Sequence, residues 1–163
     1  MVEKAEREEK QITRKDQHKN KTKNKQKPKP KTKPNQKTNS MPKKILVIDD
    51  EEIVRDIAAE ILNSLGYDVV TAVDGEEEVR MYQEEGGNFD LVVIDMVMPK
   101  LGGRDCFREL KKINPDVRAI LSTGYGINGK AQEILDEGVM GFIQKPYSID
   151  EFGRIVGQVI SKS

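Results

Sequence analysis

Four short apolar runs in this chain stop at residues capable of polar chemistry. Ile45-Leu46-Val47-Ile48 runs into Asp49 and Asp50, and Leu91-Val92-Val93-Ile94 runs into Asp95. A run ending at Ser122 leads to Thr123, and one ending at Ile143 is followed closely by Lys145. Carboxylates brought close together repel, so a proton or a cation must compensate them. Oxygen ligands with no His or Cys nearby suit a hard divalent ion, Mg²⁺ above all, which also accepts phosphate oxygens. Lys145 adds a fixed positive charge and Thr123 a hydroxyl donor. These are the parts that phosphoryl transfer requires, because that reaction depends on positioning and on charge neutralisation. Asp95 is then the nucleophile, forming an aspartyl phosphate.

The elements that must position these groups alternate. The run before Asp95 has no polar side to turn to water and reads as a strand buried on both faces. Pro99 and Gly102-Gly103 mark an irregular loop after it. Strands are expected at 45–48, 67–73, 91–95, 117–122 and 139–143. After the first strand comes a helix with Ile53, Ile57, Ile61 and Leu65 on one face, closed by Gly66. Later helices are expected from Asp74-Gly75 to about Glu85, over 103–113 with Cys106, Phe107, Leu110 and Ile113 inward, and over about 128–137 with Ala131, Ile134 and Leu135 buried. A last helix opens at Ser148 and Glu151, spaced as a capping box, and carries Phe152, Ile155, Val156, Val159 and Ile160. Five β-α units predict a parallel sheet with helices on both faces and right-handed crossovers. In strand order 2-1-3-4-5 the first and third strands are neighbours, so Asp49, Asp50 and Asp95 crowd at the carboxyl edge, where ligands of such sheets bind.

Charge divides the 163 residues in two. Residues 1–40 carry 14 Lys/Arg and 5 Asp/Glu, net +9, whereas residues 41–163 carry 14 and 23, net −9. With almost no apolar residues the first part cannot offset its chain entropy and is expected to be a disordered Lys-rich tail or linker. From Lys19 to Lys33 every second residue is lysine. A solvated linker is the default reading; binding of nucleic acid or an anionic membrane by counterion release is the sharper alternative. Residues 41–163 form the domain, and Met41 is an alternative start. Cys106 is the only cysteine, so no internal disulfide forms. With no secretion signal or membrane-length apolar run, a cytoplasmic protein is expected.

With Ile48-Asp49-Asp50-Glu51, Ile94-Asp95-Met96, Met98-Pro99, Ser122-Thr123-Gly124 and Lys145-Pro146 in this order, the sequence over about residues 43–161 resembles the receiver domain of two-component response regulators. The loops at 99–103 and 121–126 look most like receivers attached to hybrid sensor kinases. The resemblance implies a flavodoxin-like (βα)5 three-layer sandwich and Asp95 as phosphoacceptor. It implies Mg²⁺ held by Asp50, Asp95 and the main-chain carbonyl of Val97, with Asp49 assisting. Thr123 would turn toward the phosphoryl group and Phe142, at the aromatic switch position, would repack. A histidine kinase or histidine phosphotransfer protein would be the donor. A downstream protein would read the fourth helix, fifth strand and fifth helix, since no output domain is expected in this chain. Val97 and Tyr125 flank the path of an attacking water in this family; neither can orient one, so slow self-dephosphorylation is expected. Glu78 departs from the pattern, standing where the family commonly has a small apolar residue.

Other readings compete. Gly124, Gly126 and Gly129 satisfy G-x-G-x-x-G, but that fingerprint belongs on the first β-α turn, which here is acidic. His18 lies in a charged tail with no bundle to present it as a phosphodonor. An Asp-nucleophile phosphatase resembling the haloacid dehalogenase superfamily would need D-x-D after the first strand, where Asp49-Asp50-Glu51 stands instead. A pure adaptor acting through its tail is the non-enzymatic rival.

Overall fold

In the computed structural model, residues 41–124 and 131–162 are described. Strands β1 (Lys44–Ile48), β2 (Asp68–Ala72), β3 (Leu91–Asp95), β4 (Ala119–Thr123) and β5 (Gly141–Gln144) form one parallel sheet in the order β2-β1-β3-β4-β5. Between and after them run α1 (Glu52–Ser64), α2 (Gly75–Glu84), α3 (Gly103–Ile113), α4 (Ala131–Asp136) and α5 (Ile149–Ser161). This is the parallel sheet expected from the alternation, in the flavodoxin-like (βα)5 arrangement that the resemblance implies.

The sheet is buried on both faces. Alternate residues of β1 and β3, Ile45, Val47, Leu91 and Val93, pack on Ala58, Ile61 and Leu62 of α1 and on Phe152, Val156 and Val159 of α5. The opposite set, Leu46, Ile48, Val92 and Ile94, packs on Tyr82, Cys106, Phe107, Leu110 and Ile134. Each such side chain contributes about 1.5–3 kcal/mol on burial. An all-apolar strand thus has its energetic reason on both sides, and its first polar residue falls at the sheet edge.

Two expected helix faces are corrected. The stripe Ile53, Ile57, Ile61 and Leu65 does not lie against the core: only Ile61 is buried, and Ile53 is 75% exposed. Steps of four residues advance the direction by about 40° each, so such a stripe winds away from any one face. The inward side is centred on Ala58, Ile61 and Leu62. In α4, Ile134 is buried but Leu135 is exposed, because adjacent helical residues point about 100° apart. Cys106, Phe107 and Leu110 point inward as expected. Ser148 caps α5 by accepting from the Glu151 N–H, and the Asp74 carboxylate caps α2 by accepting from Glu76 and Glu77.

Candidate functional site

The first and third strands lie side by side in register, Ile48 beside Ile94, so the residues that follow them share one edge. Asp49 and Asp95 are 1% and 4% exposed, while Asp50 is exposed. One carboxylate oxygen from each of the three lies within 4.8 Å of the others. The Asp49 carboxylate accepts a bond of 2.9 Å from the Glu51 N–H, which folds the chain back after β1. Its main-chain carbonyl accepts from Arg55 of α1 at 2.7 Å.

Lys145, one residue beyond β5, extends its ammonium into this cluster, 2.6 Å from Asp49 Oδ2 and 3.2 Å from Asp95 Oδ1. The first contact is an ion pair and not an aligned hydrogen bond, and among the described residues Asp49 Oδ2 has no other partner. That buried oxygen therefore keeps a lone pair to offer. An oxygen-only set of this kind fits a small hard cation, with Asp49, Asp50 and Asp95 as donors.

The charges leave their mark on proton affinity. Burial pushes the Asp95 carboxyl above its ordinary range, and Asp49 adds to the push; Lys145 and a hydrogen bond from the Val97 N–H pull it back without cancelling it. Burial opposes the Lys145 charge, but its contact with Asp49 and the nearby Asp95 outweigh that effect and hold the ammonium above its usual range.

The loop after Asp95 is held by close backbone packing. Gly103 opens α3 so near β3 that a Cβ there would stand 2.3 Å from the Asp95 carbonyl oxygen. On the other side of Asp95, the Met96 N–H donates to the Ser122 carbonyl at 2.8 Å, and Asp95 is the register partner of Ser122. Thr123 ends β4 with 6% exposure, and its carbonyl accepts from the Lys145 N–H at 2.8 Å. Phe142 pairs with Leu121 and packs half-buried on the α2–α3 side. Val97 stands at the mouth of the site, 70% exposed.

The acids, Thr123 and Lys145 therefore meet at one edge. Tyr125, Gly126, Gly129 and His18 lie outside the described residues. Two features are not legible in the sequence pattern. The Tyr147 hydroxyl meets that of Ser122 at 2.7 Å; a polar residue at an inward position of an apolar strand is the only signal for it. Ile57, exposed on α1, shares a cleft of about 390 Å³ with Val54, Lys145, Pro146 and Tyr147.

Comparison with known proteins agrees with this geometry. The response regulator receiver domain family matches residues 45–156. The chain is 35% identical over 118 residues to the sensor kinase CckA of Brucella abortus (strain 2308); the match takes in 72% of this chain and only 12% of the kinase. It is 32% identical over 108 residues to the chemotaxis protein CheY of Thermotoga maritima, 66% of this chain and 88% of that protein. The crystal structure of the CheX–CheY–BeF3–Mg+2 complex from Borrelia burgdorferi aligns with a TM-score of 0.71 at 29% identity, over 75% of this chain and 92% of that one. By its sheet order, by the acids that end β1 and β3 and by these matches, the chain belongs to the response regulator receiver family of two-component signalling domains.

Proposed function

We propose that this domain is a phosphorylation-controlled switch whose acceptor is Asp95. The observation that carries the reading is the Asp95 carboxylate at the end of β3, 4% exposed, with the Lys145 ammonium 3.2 Å away and two further acids beside it. An Asp95 oxygen attacks phosphorus and forms the new P–O bond. The P–N bond of a donor phosphohistidine breaks, and its electron pair returns to the imidazole. Lys145 meets the negative charge of the transferred group, and Thr123 offers its hydroxyl from the end of β4. Mg²⁺, held by Asp50, Asp95, the Val97 carbonyl and, with assistance, Asp49, would supply charge neutralisation for the phosphoryl oxygens.

The donor is a histidine kinase or a histidine phosphotransfer protein. Ile57, exposed on α1 and lining a cleft with Lys145, gives it an apolar footing close to the site. The aspartyl phosphate then stabilises one of two pre-existing states through Thr123, Lys145 and Phe142. A downstream protein reads that state at α4, β5 and α5. The domain is a switch and not a turnover enzyme, with slow self-dephosphorylation, and a cytoplasmic setting suits its donors. Among the described residues no helix is long and apolar enough to cross a membrane. Any nucleic-acid or membrane contact falls to residues 1–40, which lie outside the described residues.

Intact mass after incubation with Mg²⁺ and acetyl phosphate tests this reading on the full chain. One phosphoryl gain is expected in the wild type, absent in Asp95→Asn and abolished by chelation. Failure both to gain a phosphoryl group and to bind beryllofluoride would overturn it.

A further inference from the structure

Lys145 sits on a flexible four-carbon stem in the loop between β5 and α5, so something must fix where that loop lies. Two links tie it to β4. The Lys145 N–H donates to the Thr123 carbonyl at 2.8 Å, and two residues later the Tyr147 hydroxyl meets the Ser122 hydroxyl at 2.7 Å. Ser122 is the register partner of Asp95 on one side and of Ile143 on the other, so all three side chains leave the sheet on the same face. The loop bearing the ammonium is thus pinned to the two residues that close the strand next to the acceptor.

Packing does not require this polar pair. The Tyr147 ring stacks on the buried Phe152 at 4.8 Å between centroids, a contact phenylalanine would make equally well. Ser122 is 1% exposed, and a buried hydroxyl there costs stability unless it finds a partner. Among the described residues the Tyr147 hydroxyl is hydrogen-bonded to Ser122 alone. The phenol also feels the site directly: burial pushes it up to about 12, and the charges of Lys145, Asp49 and Asp95 each act on it.

We infer that Tyr147, through Ser122, is a positioning residue that holds the Lys145 loop at the height needed to meet a phosphoryl group on Asp95. This rests on Asp95 being the acceptor, as proposed above. The same bond joins the β5–α5 loop to β4, so a shift at Thr123 is transmitted to Lys145 and the start of α5.

The test uses the full chain as wild type, Tyr147→Phe, Ser122→Ala, the double variant and Ser122→Thr. It measures the phosphorylation rate at saturating acetyl phosphate, beryllofluoride affinity at saturating Mg²⁺, and Mg²⁺ affinity alone. Tyr147→Phe is expected to lower the rate and the beryllofluoride affinity about three- to tenfold, the weight of one hydrogen bond, with Mg²⁺ affinity unchanged. Ser122→Ala should do the same, the double variant no more than either, and Ser122→Thr should retain wild-type values. Wild-type behaviour of Tyr147→Phe overturns the inference while leaving Asp95 as acceptor. Additive losses in the double variant, or Mg²⁺ affinity falling in parallel, likewise overturn it, since they report general loosening. A wild type that neither gains a phosphoryl group nor binds beryllofluoride removes the acceptor and this inference together.

Discussion

The Cys106 thiol donates a hydrogen bond to the Glu78 carboxyl in the middle of the α2–α3 contact, where neither side chain is exposed. The second oxygen of Glu78 has no partner among the described residues. An ionised carboxylate in such a place is very costly, so the group stays protonated; burial pushes it up to about 8, against only partial relief from the thiol. Asp74, Tyr82 and Glu109 are the titratable groups felt by this pair, and their charges, where ionised, are all negative. None of them helps Glu78 to ionise.

Stability should therefore fall with rising pH through this one group. Below about pH 4.5 it is protonated whether the chain is folded or not; from there to about pH 8 only the folded chain keeps the proton. Each pH unit in that window costs about 1.4 kcal/mol, and above it the loss is constant. Glu78→Met, which keeps volume and removes the polar atoms, should flatten this slope and stabilise the domain at pH 8 by on the order of 3 kcal/mol. Urea midpoints between pH 5 and 8.5 check it; parallel curves for the two proteins would sink the account.

Lys145 lies nearer to Asp49 than to Asp95, at 2.6 and 3.2 Å. It neutralises two of the three carboxylates that a divalent cation would use. Lys145→Met leaves two buried acids facing each other and should destabilise the domain by about 3 kcal/mol without Mg²⁺. Saturating Mg²⁺ should raise the melting temperature of the variant more than that of the wild type, because ammonium and cation no longer compete. Beryllofluoride binding should be lost at the same time. An equal Mg²⁺ shift in both proteins would refute this competition.

Two glycines separate backbone clearance from helix propensity. At Gly103 a Cβ would meet the Asp95 carbonyl oxygen at 2.3 Å and Met96 Cα at 3.0 Å, backbone atoms that cannot swing aside. Gly103→Ala should cost about 1–3 kcal/mol and slow phosphorylation by displacing the acceptor. Gly157, inside α5, has nothing within 4 Å of the place a methyl group would take. Gly157→Ala should stabilise by about 0.5–1 kcal/mol and leave the phosphorylation rate alone. Similar effects of the two substitutions would show that Asp95 does not depend on the α3 start.

Much of this site is legible in the residues because an apolar strand has to end somewhere, and Asp49, Asp95 and Lys145 stand at or just past the ends of β1, β3 and β5. The strand order 2-1-3-4-5 then brings the first two together. What stays hidden depends on relationships that a local pattern does not carry. Ser122 and Tyr147 are 25 residues apart and meet only through the register of β4 with β5. Glu78 stands out as an acid in an unusual place, but its thiol partner is on another helix. The inward side of α1 takes Ile61 but not Ile53 or Ile57, because a repeat of four drifts around a helix whose turn is 3.6 residues. That drift is why Ile53 and Ile57 end up exposed instead of in the core.

The lifetime of the phosphorylated state should be set at the mouth of the site. Hydrolysis needs a water in line with the bond between Asp95 and phosphorus, and orienting that water takes a hydrogen-bonding group close by. Val97, two residues past Asp95, is 70% exposed there and its side chain can neither donate nor accept. Its backbone N–H acts on the Asp95 carboxylate and lowers its proton affinity. Val97→Asn keeps that N–H and adds an amide able to hold the water, so the aspartyl phosphate should decay roughly tenfold faster. Intact mass followed over time after removal of acetyl phosphate measures this directly. Val97→Ile, equally unable to orient water, should decay at the wild-type rate, which separates hydrogen bonding from a mere change of shape. An unchanged lifetime in Val97→Asn would mean that water reaches phosphorus by another path.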